Sequence, residues 1–353
     1  MGITKKEFGL TKESKSASLY TLENDNGMKV VFCDYGATII SIFVPDRNGN
    51  IADIVLGYDT IEAYEGNAPG YGSFIGRHAN RIGDARFELN GVTYELEVND
   101  GKNNLHSASR SYNKYFYDVR HYAADGDMSI EFSRLSPDME QGFPGNLDVS
   151  VTYTLTKENE LVIEYYARSD KDTIVNFTNH SYFNLAGHAA GSVLDHIVTI
   201  NAEAFTPTTD DLIPTGEIRS VAGTPMDFRK SKTIGRDINA DYLPLKQAAG
   251  YDHNYVLTKK TNGQVEKAAD LYEEKSGRFM EVYTDLPGMQ FYTGNFIPGN
   301  EIGKDKYIYK KRDGVCFETQ YYPNSCNIKT FPSCRLGASQ EYDSVTIYKF
   351  SVK

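Results

Sequence analysis

The sequence predicts an all-β fold, a large antiparallel β-sandwich, on three observations: strict alternation of apolar and polar residues, recurring Asn-Gly pairs, and abundant aromatics. In Leu147-Asp148-Val149-Ser150-Val151-Thr152-Tyr153-Thr154-Leu155 every odd position is apolar and every even one polar, the period of a strand with one covered face. Asn-Gly supplies two residues that tolerate positive φ, which tight hairpins require. The 26 tyrosines and 18 phenylalanines suit half-covered pleated surfaces, whereas amphipathic helical stretches longer than two turns are hard to find.

Taken in chain order, Asn26-Gly27 and Asn48-Gly49 mark the first hairpin turns, and Ile61 to Tyr64 is a short helical candidate. Asn90-Gly91, flanked by Phe87, Leu89, Val92, Tyr94 and Leu96, is the strongest short hairpin signal. After Leu155 the turn Lys157-Glu158-Asn159 reverses the chain, and Leu161, Ile163, Tyr165 and Ala167 form one face of the returning strand. Asn262-Gly263 repeats the turn chemistry, Ala268 to Lys275 is a second short helical candidate, and a last strand is expected near Val345 to Val352. No Pro/Ser-rich linker or shift of composition divides the chain, so residues 1–353 are expected to form a single domain. Sheet packed on sheet is the economical architecture for so many antiparallel strands, with a closed barrel as the alternative.

A hydrophobic content of 40% is enough for a sizeable core, and no apolar run approaches the roughly 20 residues that span a bilayer. The formal net charge of −11 argues against nucleic-acid and anionic-membrane partners, which need clustered lysine and arginine. Met1-Gly2-Ile3-Thr4-Lys5-Lys6-Glu7 lacks the apolar segment of a secretory signal, so a cytoplasmic location is expected. Cys33, Cys316, Cys326 and Cys334 contain no C-x-x-C pair and are expected to be reduced thiols.

Four scattered segments place polar groups where a plain strand or loop would not need them. Thr178-Asn179-His180-Ser181-Tyr182-Phe183-Asn184-Leu185 sets one histidine among uncharged polar and aromatic side chains, where it can both give and take a proton near neutrality. Gly76-Arg77-His78-Ala79-Asn80-Arg81-Ile82-Gly83 packs two arginines and an asparagine between glycines, and Arg81 can fork two hydrogen bonds to hydroxyls. Asn103-Asn104-Leu105-His106 ends in a histidine able to orient a ligand oxygen. In Cys316-Phe317-Glu318-Thr319-Gln320-Tyr321, alternation puts Glu318 and Gln320 on one face and Phe317 and Tyr321 on the other; a carboxylate among aromatics is costly unless paired or given a task. Asp252 in Tyr251-Asp252-His253-Asn254 and Gln290 in Pro287-Gly288-Met289-Gln290-Phe291-Tyr292 are further polar groups set among aromatics. His180, His188 and His196 recur at intervals of eight, but eight residues cover about 26 Å on a strand and about 12 Å on a helix, so a shared metal is not expected. Phosphate-loop, dinucleotide and nucleophile-elbow motifs are absent, and no cofactor is expected.

These segments closely resemble those of the aldose 1-epimerases. Gly76 to Ile82 resembles that family's G-R-x-A-N-R-I signature, Asn103 to His106 its N-x-L-H loop, and Thr178 to Leu185 its T-N-H-S-Y-F-N-L run; Asp252-His253-Asn254, Pro287 to Asn295 and Glu318-Thr319-Gln320 resemble three later segments. The resemblance runs nearly end to end. It implies a galactose mutarotase-like supersandwich with the site in a concave face, Glu318 as catalytic base and His180 as catalytic acid, and Asn80, Arg81, His106, Asp252 and Gln290 holding the sugar. The chain departs from the family at Ser107 to Phe116, where paired glycines and an aromatic-Asp-Lys stretch are usual, and it has no tryptophan. That stretch borders the ligand in the family, so the resemblance leaves the preferred sugar open.

The implied activity interconverts the α and β anomers of a hexose such as D-galactose or D-glucose, with a monosaccharide as the partner and a monomer or homodimer as the assembly. The alternatives are a hexose-6-phosphate 1-epimerase, for which Arg77, Arg81 and Arg110 would be recruited, a non-catalytic carbohydrate-binding sandwich, and a glycoside hydrolase using Asp252 with Glu318.

Overall fold

The structure, a computed structural model, describes residues 2–353. Three antiparallel sheets carry the architecture. The first is a meander of Gly2–Leu10, Ser16–Glu23, Lys29–Cys33, Thr38–Pro45 and Ile51–Asp53. The second has nine strands, beginning at Asp118–Ala124, Asp127–Ser136, Leu147–Leu155 and Glu160–Ser169, and the C-terminal strand Glu341–Val352 then inserts before Arg278–Thr284, Glu266–Tyr272, Ile197–Ile200 and Lys232–Thr233. The third contains Arg219–Ser220, Ala202–Phe205, Asp252–Leu257, Gly288–Tyr292 and Cys316–Gln320.

Sheet packs on sheet, as the alternation implies. The odd residues of Leu147–Leu155 are buried and pair with those of Glu160–Ser169, Val151 opposite Tyr165 and Tyr153 opposite Ile163. One apolar cluster is fed by all three sheets: Val30 and Phe32 from the first, Val151, Tyr165 and Tyr348 from the second, and Tyr255, Phe291 and Phe317 from the third. Aromatic rings lock the layers, Phe32 lying 4.7 Å from Tyr153. The Tyr153 hydroxyl donates to the Ala37 carbonyl and the Tyr348 hydroxyl to the Phe317 carbonyl. Each buried aromatic of this kind contributes about 3–5 kcal/mol against truncation to alanine.

The turn chemistry holds at Asn26-Gly27 and Asn48-Gly49, which close hairpins in the first sheet. Asn90 (φ 54°) and Gly91 (φ 79°) connect Arg86–Leu89 to Val92–Glu95 in the doubly positive turn expected. Asn262-Gly263 differs: its flanking strands Asp252–Leu257 and Glu266–Tyr272 belong to different sheets, so the turn joins layers instead of closing a hairpin. The helical expectation holds for Ile61–Gly66, capped by the Thr60 side chain, and fails for Ala268 to Lys275. That stretch continues the strand Glu266–Tyr272, and a bulge between Lys267 and Ala269 buries both Ala268 and Ala269, breaking the alternation that would have marked a strand. A second short helix, Leu243–Gln247, starts with proline in its first turn.

Candidate active site

The site is built on one face of the third sheet. Its register aligns Asn254, Gln290 and Glu318 in one row and Asp252, Tyr292 and Cys316 in the next. Because successive side chains point to opposite faces, Phe291 and Phe317 enter the core, 5.4 Å apart, while Gln290 and Glu318 face the other way. A second wall comes from the pairing of Arg81–Ile82 with Asn104–Leu105, which sets Arg81 opposite Leu105 and brings Asn80 to His106. There the His106 N–H donates to the Asn80 carbonyl, and the Asn80 N–H donates to His106 Nδ1, both at 3.1 Å. The second bond makes Nδ1 an acceptor, so the ring's proton stands on Nε2 as a donor. Both residues are left-handed, Asn80 at φ 62° and His106 at φ 53°, a conformation that costs of order 1 kcal/mol and recurs at functional sites.

His180 is supplied by the short strand Thr178–His180, paired with Ser73–Ile75. Its carbonyl accepts the Gly72 N–H, and the Asn179 amide donates to the Gly72 carbonyl at 3.1 Å, so the strand is pinned to the Pro69–Ser73 loop. Gly72 is required there: its φ is +66°, and a Cβ would lie 1.9 Å from the Ile39 carbonyl oxygen. The imidazole stacks on Tyr182 at 5.0 Å and takes His106 edge-on at 5.4 Å.

These walls enclose an open cavity of about 320 Å³ lined by Asn80, Arg81, His106, His180, Asp252 and Glu318, with Tyr182, Tyr292, Phe296 and Pro69 among the apolar lining. His180 Nε2 stands 3.5 Å from Glu318 Oε2, and that carboxylate oxygen, though buried, has no hydrogen-bond partner among the described residues. His180 Nδ1 lies 3.5 Å from Cys316 Sγ. Burial, with a smaller contribution from the Asp252 charge, pushes the Glu318 carboxyl well above the usual range, while Arg81 pulls it back. Burial lowers His180 to about 4. His106 is also pushed well down, by burial first and then by His180 and Arg81. Asp252 is raised by burial, against the lowering effect of Arg81 and of the 2.6 Å bond it accepts from Gln290 Nε2. Burial thus favours the uncharged form of each group, an imidazole that resists its second proton beside a carboxyl that keeps its own to higher pH than usual.

Of the seven residues singled out in the sequence, six line the cavity. Gln290 stands behind them, buried against Asp252. No motif marks Asp100, whose Oδ2 accepts from Arg81 Nε at 2.7 Å, or distinguishes Cys316, expected as a reduced thiol, as the neighbour of His180. The other arginines are elsewhere. Arg77 is fully buried and donates to the Phe143, Pro144 and Gly145 carbonyls and to Ser136 Oγ; Arg110 lies 5.0 Å over the Tyr115 ring in a separate hollow. The atypical Ser107–Phe116 stretch does not line the cavity; Ser107 accepts from the His78 N–H and donates to its carbonyl, and Ser111 donates to the Gly76 carbonyl.

His188 and His196 do not join His180: the first bonds Tyr309 and Asp305, and the second accepts the Leu185 N–H. A different trio, His106, His180 and Glu318, has potential ligand atoms within 4.8 Å of one another. Its surroundings suit proton transfer better than ligation, because a metal-bound imidazole donates its second nitrogen's proton, whereas His106 Nδ1 receives one.

One guanidinium, two imidazoles and the Asn80 amide in an open hollow suit a polyhydroxy compound, and an imidazole facing a carboxyl across 3.5 Å suits acid–base work on it. The fold and the site define an enzyme that handles carbohydrates by proton transfer. The family model for aldose 1-epimerase matches residues 18–349. The chain is 42% identical over 355 residues to the galactose mutarotase of Bos taurus, covering 100% of this chain and 99% of that protein. It is 36% identical to the aldose 1-epimerase of Escherichia coli K12, covering 97% of each. A solved galactose 1-epimerase from Lactobacillus acidophilus NCFM superposes with a TM-score of 0.87 at 28% identity, over 99% of both chains. The chain belongs to the aldose 1-epimerase family of carbohydrate isomerases.

Proposed function

We propose that this protein is a mutarotase, interconverting the α and β anomers of a hexose such as D-galactose or D-glucose by opening and reclosing the pyranose ring. The observation that carries the proposal is the His180 Nε2–Glu318 Oε2 separation of 3.5 Å, inside a cavity that also presents Arg81, Asn80 and His106. The names of the Bos taurus and Escherichia coli relatives support the same reading. Ring opening needs a proton removed from O1 and one delivered to the ring oxygen O5. Glu318 as carboxylate takes the first and protonated His180 gives the second, the C1–O5 bond breaking as C1=O1 forms; each transfer is worth about 10²- to 10⁴-fold. Rotation about C1–C2 presents the other aldehyde face, and reclosure reverses both transfers, leaving the enzyme as it began.

Neutral His180 with protonated Glu318, the state favoured by burial, is the state that accompanies the open-chain aldehyde. The Arg81 charge draws Glu318 the other way, toward the carboxylate that a cyclic sugar must meet. These opposed pulls support transfers of similar ease in both directions. Asp252, with Gln290 behind it, and the His106 Nε2 proton serve sugar hydroxyls in this reading. The apolar cluster common to the three sheets supports residues 1–353 as one domain. A phosphorylated hexose is the weaker fit, since Arg81 is the one arginine or lysine in the cavity lining and Arg77 is committed to carbonyls.

The test is the decay of optical rotation in freshly dissolved α-D-galactose with wild type, Glu318→Gln, His180→Asn and a protein-free blank. Wild-type acceleration lost in both variants is expected. No acceleration with galactose or glucose, while either sugar still binds, would refute mutarotation.

A further inference from the structure

We propose that Asp100, outside the cavity wall, is a positioning residue: its carboxylate holds Arg81 by Nε, presents both Nη groups to the hydroxyls of the sugar, and balances the guanidinium charge beside the His180–Glu318 pair. The inference rests on the sugar site proposed above and adds to it a residue that no motif marks.

The geometry begins with the 2.7 Å bond from Arg81 Nε to Asp100 Oδ2, the one hydrogen bond this guanidinium makes among the described residues. A guanidinium held by Nε alone keeps its plane fixed and leaves four N–H donors on Nη1 and Nη2. Arg81 is 9% exposed and lines the cavity, so those donors face the space where a ligand sits. Without an anchor, an arginine side chain carries about 2 kcal/mol of rotamer entropy that binding would have to overcome.

Asp100 is itself held in place. Its N–H and that of Asn99 donate to the Asn103 carbonyl, and the Asn103 N–H returns to the Asp100 carbonyl. The Asn99 side chain bonds both the N–H and the carbonyl of Leu105, the residue paired with Arg81. The turn that carries Asp100 is therefore fastened to the strand Asn104–Leu105 that leads into His106, and the anchor moves with the wall it serves.

Charge is the second part of the argument. The titratable groups that face Arg81 are Asp100, Asp252, Glu318 and His106, and Asp100, Asp252 and Glu318 are all carboxyls. The nearby Lys102 is engaged by Asp84 and Asp211. With Asp100 neutralised, the Arg81 charge would act on Glu318 and Asp252 with less compensation, favouring their ionised forms. A carboxylate that merely stiffened the turn would change folding and leave that balance untouched.

The experiment compares wild type, Asp100→Ala and Asp100→Asn by calorimetric titration with galactose, by polarimetric kcat and KM, and by the pH profile of kcat/KM. In Asp100→Ala the galactose Kd and KM should rise about tenfold with kcat within about threefold, and Asp100→Asn, which keeps an acceptor for Nε, should fall between. In both variants the alkaline limb, where the catalytic pair loses its proton, should move down by about 0.5 pH unit. Kd and KM within twofold of wild type in Asp100→Ala would overturn the proposal. So would activity that falls only with the folded fraction, measured by circular dichroism, while KM and the limb stay put. Active wild type with an indifferent Asp100→Ala sinks this role alone, whereas wild type that neither binds nor turns over galactose sinks the sugar site and this role together.

Discussion

At Glu318 a buried carboxyl faces an imidazole across 3.5 Å, and the proposed ring opening needs two transfers at once, a proton taken from O1 and another given to O5. Glu318→Gln and His180→Asn should each lower kcat by about 10²- to 10⁴-fold, and the double variant should fall little below the worse single one, because the two act as a unit. Polarimetric kcat values for the three variants check this; fully multiplicative losses would mean the groups act independently. The same pair fixes the pH dependence. Its active form carries one proton, so kcat/KM should fall as pH drops toward about 4, where His180 would hold a second proton, and again where the single proton leaves. A profile that halves close to the ordinary imidazole value of about 6.5 would contradict the burial of His180. His180, Glu318 and Arg81 were legible in the sequence because each sits in a run whose polar and aromatic makeup has no plain structural use. Asp100 was not, since a lone aspartate in an Asn-Asp-Gly turn looks like turn chemistry, and only its 2.7 Å bond to Arg81 says otherwise.

Short elements hold the site, and two residues test them. Gly72→Ala would drive a methyl into the Ile39 carbonyl at a backbone position of positive φ, displacing the loop whose N–H holds the His180 carbonyl. It should cost several kcal/mol and remove activity together with stability, as read by urea midpoint and polarimetry. Arg77→Lys should behave differently. The guanidinium ties the Gly76–Arg81 segment to the carbonyls of Phe143 to Gly145, which an ammonium reaches only in part; a loss of roughly 3–5 kcal/mol is expected, with KM of the folded protein near wild type. A large KM change in folded Arg77→Lys would mean that this arginine serves the ligand after all. Alternation identified the strand pair Leu147–Leu155 and Glu160–Ser169 because one face is covered and the other open. It misled at Ala268 to Lys275, where a bulge puts two neighbouring alanines inward and erases the period.

Across the whole molecule, buried neutral histidines link folding to pH. His106, His180, His196 and His253 are all pushed down by burial, the last three to about 4. Unfolded histidine titrates near 6.5, so below that pH the unfolded chain binds more protons and stability falls as pH drops, by up to about 1.4 kcal/mol per pH unit for each such group. Asp34, Asp252, Asp285, Asp313 and Glu318, raised by burial, act in the opposite sense, each taking up its proton in the folded chain at a higher pH than in the unfolded one. The urea midpoint should drop between about pH 7 and about pH 5 by the equivalent of a few kcal/mol; an unchanged midpoint would mean that these imidazoles are not held neutral. No helix of the described residues is long and apolar enough to cross a membrane. By itself the sequence determined the fold class, most turns, and the six residues that meet in the cavity, because strand period, positive-φ turns and unusual polar runs are local properties of a chain. Tertiary structure alone decided that the last strand lies inside the nine-stranded sheet, that Arg77 is a buried clamp while Arg81 lines the cavity, and that Gln290 and Asp100 stand outside that lining, bonded to Asp252 and Arg81. Those outcomes depend on which distant segments pack together, and the register of one strand against another carries no mark in either strand alone.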